Sequence, residues 1–373
     1  MAGKRVLVLG GGAPNLTLMS GALLALHDHG LTFDAISMSG AGAVVGLCYL
    51  APKGLTPAEA LRNTVNFGVS DAIYSLLPLN YKIFFKDGPF AEVFRNAWRK
   101  LPPVQYADHQ YGMSPAEKLE ADLLLLGGSM MTPGALDFFD RGVCAHVPFI
   151  EDVVDFRRLK EIVSPRTFLN AYRIDTHEVV EFEGPEIDVR HFRAAFSFPY
   201  LYAPYEIDGS FYYEGAAFTG LNLVRLAVDQ RYLDIPYVTR PDGDAYRFIL
   251  FDVLTDNVIH PARNLMDAYA QSIVLPIVGN AEKEISIFRE WAKTGHTDFI
   301  PRDEWELRAK AAAGVKAQQV PNVEKPYLVK FYVPPEQQPY ILDWSRSNLE
   351  RLFDIGYESG RIFVQEHPDI LLP

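Results

Sequence analysis

The first strong hydrophobic pattern lies between Arg5 and Gly46 (RVLVLGGGAPNLTLMSGALLALHDHGLTFDAISMSGAGAVVG). Val6 to Leu9 is a short continuous apolar run, which predicts a strand buried on both faces. Gly10, Gly11 and Gly12 follow at once. Glycines after a strand permit positive φ and leave backbone N–H groups unobstructed toward a ligand. A helical pattern then predicts a helix from about Leu16 to His29. Phe33–Ser37 reads as a second short strand. The chain turns at Ser39-Gly40-Ala41-Gly42 into a further helix, predicted over Ala43–Leu50.

Later segments alternate in the same manner. Thr56–Phe67 is predicted helical, with Thr56 as cap and Pro57 at the first position. Pro115–Leu125 is another helix, capped by Ser114. Phe168–Ile174 and Glu178–Glu181 predict two strands around a turn at Asp175-Thr176-His177, and Phe192–Phe196 a short helix with His191 on its polar side. Beyond residue 225 come a strongly apolar strand over Tyr246–Leu254, helices over Ala262–Glu284 and Arg302–Gly314, and a strand over Tyr327–Val333. Leu342–His367 reads as helical, broken at Gly356 or Gly360. Between Phe67 and Tyr106 the chain is rich in aromatics: Phe67, Tyr74, Tyr81, Phe84, Phe85, Phe90, Phe94, Trp98 and Tyr106. This pattern fits either the core of a helical subdomain or an apolar lid or acyl-chain tunnel.

A serine between a strand and a helix, on a turn of small residues, is how a nucleophile elbow is built. Ser37-Met38-Ser39-Gly40-Ala41 has the spacing of G-x-S-x-G, with Ser37 for the first glycine and Ala41 for the last. The competing reading makes Ser39 a plain helix N-cap. The upstream glycines bear on the choice, since they could donate N–H groups to an oxyanion.

At 49% hydrophobic and 22% charged residues, the composition is that of an ordinary globular protein. The net charge of −12 argues against a nucleic-acid partner and against adsorption to an anionic membrane by bulk charge. Any transient contact with a membrane surface would use apolar side chains. The two cysteines, Cys48 and Cys144, do not make a disulfide framework. No His/Cys cluster suggests zinc, no Asp-rich loop suggests calcium, and no cofactor is expected. The apolar run behind Lys4-Arg5 is too short for a signal peptide. No stretch approaches the roughly 18 apolar residues that span a bilayer. These features predict a cytoplasmic protein.

The order strand, Gly10-Gly11-Gly12 loop, helix, strand, Ser37–Gly42 elbow, helix resembles the N-terminal half of the patatin-like phospholipases. That family uses a serine–aspartate dyad without histidine, its aspartate lying in a D-G-[GA] motif downstream of a Pro- and aromatic-rich segment. Here Ser197-Phe198-Pro199 and Ala203-Pro204-Tyr205 precede Asp208-Gly209 and Glu214-Gly215-Ala216. Spacing from the Ala-Pro pair sets Glu214 on the family's aspartate and Asp208-Gly209 on the preceding hairpin turn, leaving Asp208 as a fallback base. The resemblance covers about residues 4–225. It implies a three-layer α/β/α fold with a mostly parallel central sheet, and a single domain over 1–373 in which 226–373 extend and cover the sheet.

The resemblance also implies acyl transfer from a lipid or other hydrophobic ester through an acyl-Ser39 intermediate. A carboxylate activates the hydroxyl if it comes within about 2.6–3.2 Å. Glu214 is the expected base. Gly10, Gly11, Gly12 and Gly40 are the expected oxyanion donors, and Asn15, standing near where the family often carries a basic residue, adds a side-chain N–H. His146, His177 and His191 are given no catalytic part. Four positions depart from the family pattern: Glu214 for aspartate, Ser37 and Ala41 for elbow glycines, and Pro14-Asn15 for the basic residue. These departures leave two alternatives, an acyltransferase or specialised esterase, and a catalytically silent binding protein.

Overall fold

Alternation along the central strands decides the layering. The computed structural model describes residues 4–12, 15–134, 140–223, 246–251, 253, 259–262, 265–294, 327–331, 333 and 343–371. Ten strands are described: β1 Lys4–Leu9, β2 Ala35–Met38, β3 Gly142–Cys144, β4 Arg166–Arg173, β5 Glu178–Glu183, β6 Tyr200–Tyr202, β7 Tyr205–Ile207, β8 Ser210–Glu214, β9 Tyr246–Phe251 and β10 Tyr327–Val329. The helices are α1 Leu16–Asp28, α2 Ala41–Leu50, α3 Pro57–Asn63, α4 Asp71–Tyr74, α5 Pro89–Trp98, α6 Pro102–Asp108, α7 Pro115–Met131, α8 Ile150–Val153, α9 Phe156–Glu161, α10 Val189–Ala195, α11 Leu265–Thr294 and α12 Arg346–Glu366. Side chains of a strand point alternately to its two faces. Leu7, Leu9, Ile249 and Phe251 therefore join α1, α2 and α12 in the larger core. Val6, Val8, Phe248 and Leu250 meet Ala281, Ile285 and Phe288 of α11 on the other face. The result is three layers, helix on sheet on helix.

The main sheet runs β10-β9-β1-β2-β4-β8-β7, with β5 also paired to β4. Strands β10 to β4 are parallel, while β5, β8 and β7 are antiparallel additions. β4 is long enough to hold two partners end to end on one edge. Its first half pairs with β2, ending at Met38 opposite Leu169, and its second half pairs with β8, ending at Glu214 opposite Ala171. β5 overlaps both registers and so takes the opposite edge. Asn170 therefore stands at the junction where β2 stops and β8 stops.

Several local expectations are met by local chemistry. Thr56 and Ser114 each accept from the N–H three residues on, and Glu59 and Glu117 reach back, closing two capping boxes. The helix begun at Pro57 tightens into a 3₁₀ turn at Thr64–Phe67, and α7 continues to Met131. α2 begins at Ala41, two residues earlier than the pattern suggested, and α11 runs on to Thr294. The helix expected over Arg302–Gly314 lies outside the described residues.

The expected break at Gly356 or Gly360 is corrected. α12 is one continuous helix, and its glycines face α1. A Cβ on Gly356 would lie 2.1 Å from the Leu18 carbonyl oxygen, and one on Gly21 of α1 would lie 2.0 Å from that of Phe353. These glycines are there for close approach of two backbones, not to end a helix.

The helices between α2 and β4 enclose a buried polar cluster. Asp122, wholly shielded from solvent, accepts from Ser70 N and Oγ, Gln110 Nε2, Lys82 Nζ at 2.7 Å and Arg346 Nη2 at 3.1 Å. Tyr81 donates to the Asp122 carbonyl. The aromatic-rich segment divides: Tyr81 is core, Phe67 packs on Phe149 and Phe84 on Trp344, while Phe90 and Tyr106 face solvent. Among the described residues, no helix is long and apolar enough to cross a membrane.

Candidate active site

Ser39 leaves β2 next to the glycine loop that leaves β1. Its N–H donates to the Leu9 carbonyl, and the Gly42 N–H donates to the Gly10 carbonyl, so the elbow is sewn to the loop by backbone alone. The sharp bend falls on Gly40, at φ 49° and ψ −121°. That conformation favours glycine, and space demands it too: a Cβ there would lie 2.2 Å from Glu214 Oε1. Gly42 carries the other close approach, since a Cβ there would sit 2.4 Å from the Leu9 carbonyl oxygen. Ala41 thus replaces a glycine without crowding, because the tight contact has moved one residue on.

The site is closed and its groups are buried. Ser39 is 1% exposed, Asn170 1% and Glu214 8%. The Ser39 hydroxyl donates to Asn170 Oδ1 at 2.7 Å, with the Thr219 carbonyl at 3.5 Å. Asn170 Nδ2 in turn donates to the Thr219 carbonyl at 3.3 Å. The expected Ser39–Glu214 hydrogen bond is not formed: an amide oxygen occupies the place of the base. Glu214 stands at the same turn, its Oε1 against Gly40 and 3.9 Å from where a Gly11 Cβ would be. Among the described residues its carboxyl makes no hydrogen bond, and burial pushes its pKa up to about 8.

The expected oxyanion donors divide. The Gly10 N–H is already bonded to the Phe251 carbonyl at 3.2 Å, which corrects its place among the donors. The N–H groups of Gly11, Gly12 and Gly40 have no protein acceptor among the described residues. Asn15 occupies the N-cap position of α1 with its side chain fully buried, and among the described residues neither its Oδ1 nor its Nδ2 finds a partner. Orphaned buried amides are uncommon and destabilising, so their presence beside a glycine loop is informative.

Asp208 is far from this chemistry. It sits at φ 50° in the β7–β8 turn, its side chain 84% exposed and 3.7 Å from Arg190. β8 separates it from Glu214 by roughly 15 Å of extended chain. His177, at φ 56°, is a turn residue as expected, and His146 bonds the Ala203 carbonyl. His191 is not on a polar face: its ring packs edge-on against Phe182 while Nδ1 meets Asp188, the cap of α10. Asn170 is the site residue that the sequence reading missed. Its signal was an amide inside the apolar strand Phe168–Tyr172, where a polar group needs a reason.

A family model for patatin-like phospholipases matches residues 7–226, from β1 through the Glu214 motif. The chain belongs to the patatin-like phospholipase family. Membership supports lipid acyl hydrolysis as the general activity, and the three layers are the patatin fold. No curated protein matches the chain. The crystal structure of VipD from Legionella pneumophila superposes at a TM-score of 0.40 with 12% identity, over 98% of this patatin-like chain and 67% of that one.

Proposed function

We propose that this patatin-like protein is a serine hydrolase that cleaves carboxylic esters of lipids or other hydrophobic acyl compounds. Ser39 is the nucleophile and Glu214 the base. The observation that carries this is the meeting of a buried serine, a buried carboxyl and the glycine loop at one glycine, Gly40, with the N–H groups of Gly11, Gly12 and Gly40 unbonded among the described residues.

The ester carbonyl enters among the N–H groups of Gly11, Gly12 and Gly40, with the Asn15 amide as a further donor. The Ser39 hydroxyl turns from Asn170 toward Glu214. Oγ bonds the carbonyl carbon as its proton passes to the ionised carboxyl. The oxyanion is held by donors already in place, which is where such sites gain most. Glu214 then protonates the leaving alkoxide, and the reverse sequence with water releases the acid. The base must be ionised, so turnover should rise with pH until Glu214 has titrated near 8.

A second reading has one observation in its favour. The hydroxyl is bonded to an amide that cannot take its proton, which suits a silent patatin fold. Labelling with a fluorophosphonate separates the two. The hydrolase reading expects stoichiometric modification at Ser39, lost in Ser39→Ala. A wild type that labels no faster than Ser39→Ala would leave the silent fold.

A further inference from the structure

We infer that Asn170 is a positioning residue that holds the nucleophile in a resting orientation and so sets how often the site is competent. The inference rests on the hydrolase reading above. Two strand ends create the arrangement: β2 stops at Met38 opposite Leu169, and β8 stops at Glu214 opposite Ala171, so Asn170 faces the gap between them. The amide orientation is dictated by its neighbours. The Thr219 carbonyl can only accept, so it takes Nδ2, and Oδ1 is left toward Ser39. Oδ1 can only accept in turn, so the serine's one proton is committed to it at 2.7 Å. An amide oxygen is not a base at neutral pH. The acceptor that can receive the proton, Glu214, has its Oε1 against Gly40 and takes no hydrogen bond from the Ser39 hydroxyl. The bonded state is therefore unreactive, and each turnover begins by breaking the Ser39–Asn170 hydrogen bond.

The packing leaves Asn170 little freedom to yield. A Cβ on Gly215 would stand 2.6 Å from its Oδ1, so the amide is pressed against the Glu214-Gly215 backbone. It is the serine, not the asparagine, that moves. Exchange of the amide for a carboxyl keeps shape and distance while converting the resting partner into a proton acceptor. Below its pKa such a carboxyl still donates to Thr219; once ionised it faces the serine hydroxyl directly.

The wild type, three variants and a fluorophosphonate test this. In the labelling step the Oγ–P bond forms, the P–F bond breaks, fluoride leaves and the hydroxyl proton passes to the base. Asn170→Ala should label about fivefold faster than wild type, the worth of one net hydrogen bond. Glu214→Gln should not label, and the double variant Asn170→Asp with Glu214→Gln should regain labelling with its own rise in pH. A general structural role for Asn170 does not produce that regain. Labelling of Asn170→Ala slower than wild type by tenfold or more would overturn the inference, as would an inert double variant that retains the wild-type circular dichroism. Should the variants misfold, the wild-type adduct decides: Oγ is expected more than 3.5 Å from Asn170 Oδ1, and an unchanged 2.7 Å overturns the inference. If neither wild type nor any variant labels, it is the hydrolase reading that fails.

Discussion

Two buried polar clusters stand in this molecule, and they are built on opposite terms. Around Asp122, Lys82 and Arg346 supply charge, and Ser70, Gln110 and Tyr81 complete the hydrogen bonds. Lys82 further donates to the carbonyls of Asn66 and Gly68 and to Gln110 Oε1. Around Ser39, among the described residues, a carboxyl is buried with no hydrogen-bond partner, an amide is orphaned at Asn15, and three backbone donors are unused. The first cluster joins α7 to the start of α12 and satisfies the Asp122 carboxylate from within, although Arg346 Nε finds no partner among the described residues. The second leaves its carboxyl, its Asn15 amide and its backbone donors open, as the proposed substrate site requires. Satisfied buried groups rigidify a fold, whereas unsatisfied ones lower stability and are retained where chemistry needs them.

The strongest way to break the comparison is to remove the carboxyl from each cluster. Glu214→Gln should lower esterase turnover by 10³-fold or more, about 4 kcal/mol of transition-state stabilisation. Asp208→Asn should leave most of it, as initial rates on a p-nitrophenyl ester series would show. The reverse result would move the base to the hairpin turn. Asp122→Asn should do the opposite: it leaves Lys82 and Arg346 buried without their counter-ion and should cost about 3–5 kcal/mol in urea unfolding. A loss under 1 kcal/mol would mean that the cluster is better hydrated than its burial suggests.

A finer test uses pH. Glu214 has a folded pKa raised to about 8 against an ordinary 4.5, so between these values the folded state holds a proton that the unfolded state releases. Its contribution to stability is therefore fully present below about pH 4.5 and declines as pH rises to about 8, by at most about 1.4 kcal/mol per pH unit. Glu214→Gln should flatten that slope, making the inactive variant the more stable protein at pH 8. Equal slopes for the two proteins would refute the burial of the charge. Gly40→Ala should have a smaller effect on folding, about 1–3 kcal/mol, from strain at φ 49° and displacement of Glu214 Oε1. Its activity should fall further than its melting temperature implies, because the displaced atom belongs to the proposed base.

Much of the site was legible because its first half is contiguous. The strand, the glycine loop, the helix and the elbow all lie within Arg5–Gly46, and turn chemistry there depends on neighbours in sequence. Glu214 entered the candidate site through the spacing of the Pro- and aromatic-rich segment before it. Its relation to Ser39 was not. Ser39 and Asn170 are separated by 131 positions and meet only because β4 carries β2 and β8 end to end on one edge. The α12 glycines were misread for the same reason: a glycine in a helical pattern signals a break locally, and only α1 packed against it reveals a contact between backbones.

The sequence by itself determined the alternation that makes the three layers, the caps of α3 and α7, the position of the elbow and the chemical types available to it. Those properties depend on periodicity and on groups a few residues apart. Tertiary structure alone decided which acceptor holds the Ser39 proton, which glycine N–H groups are free, and how far burial lifts Glu214. Those depend on strand register and on exclusion of water, which no short window of sequence contains.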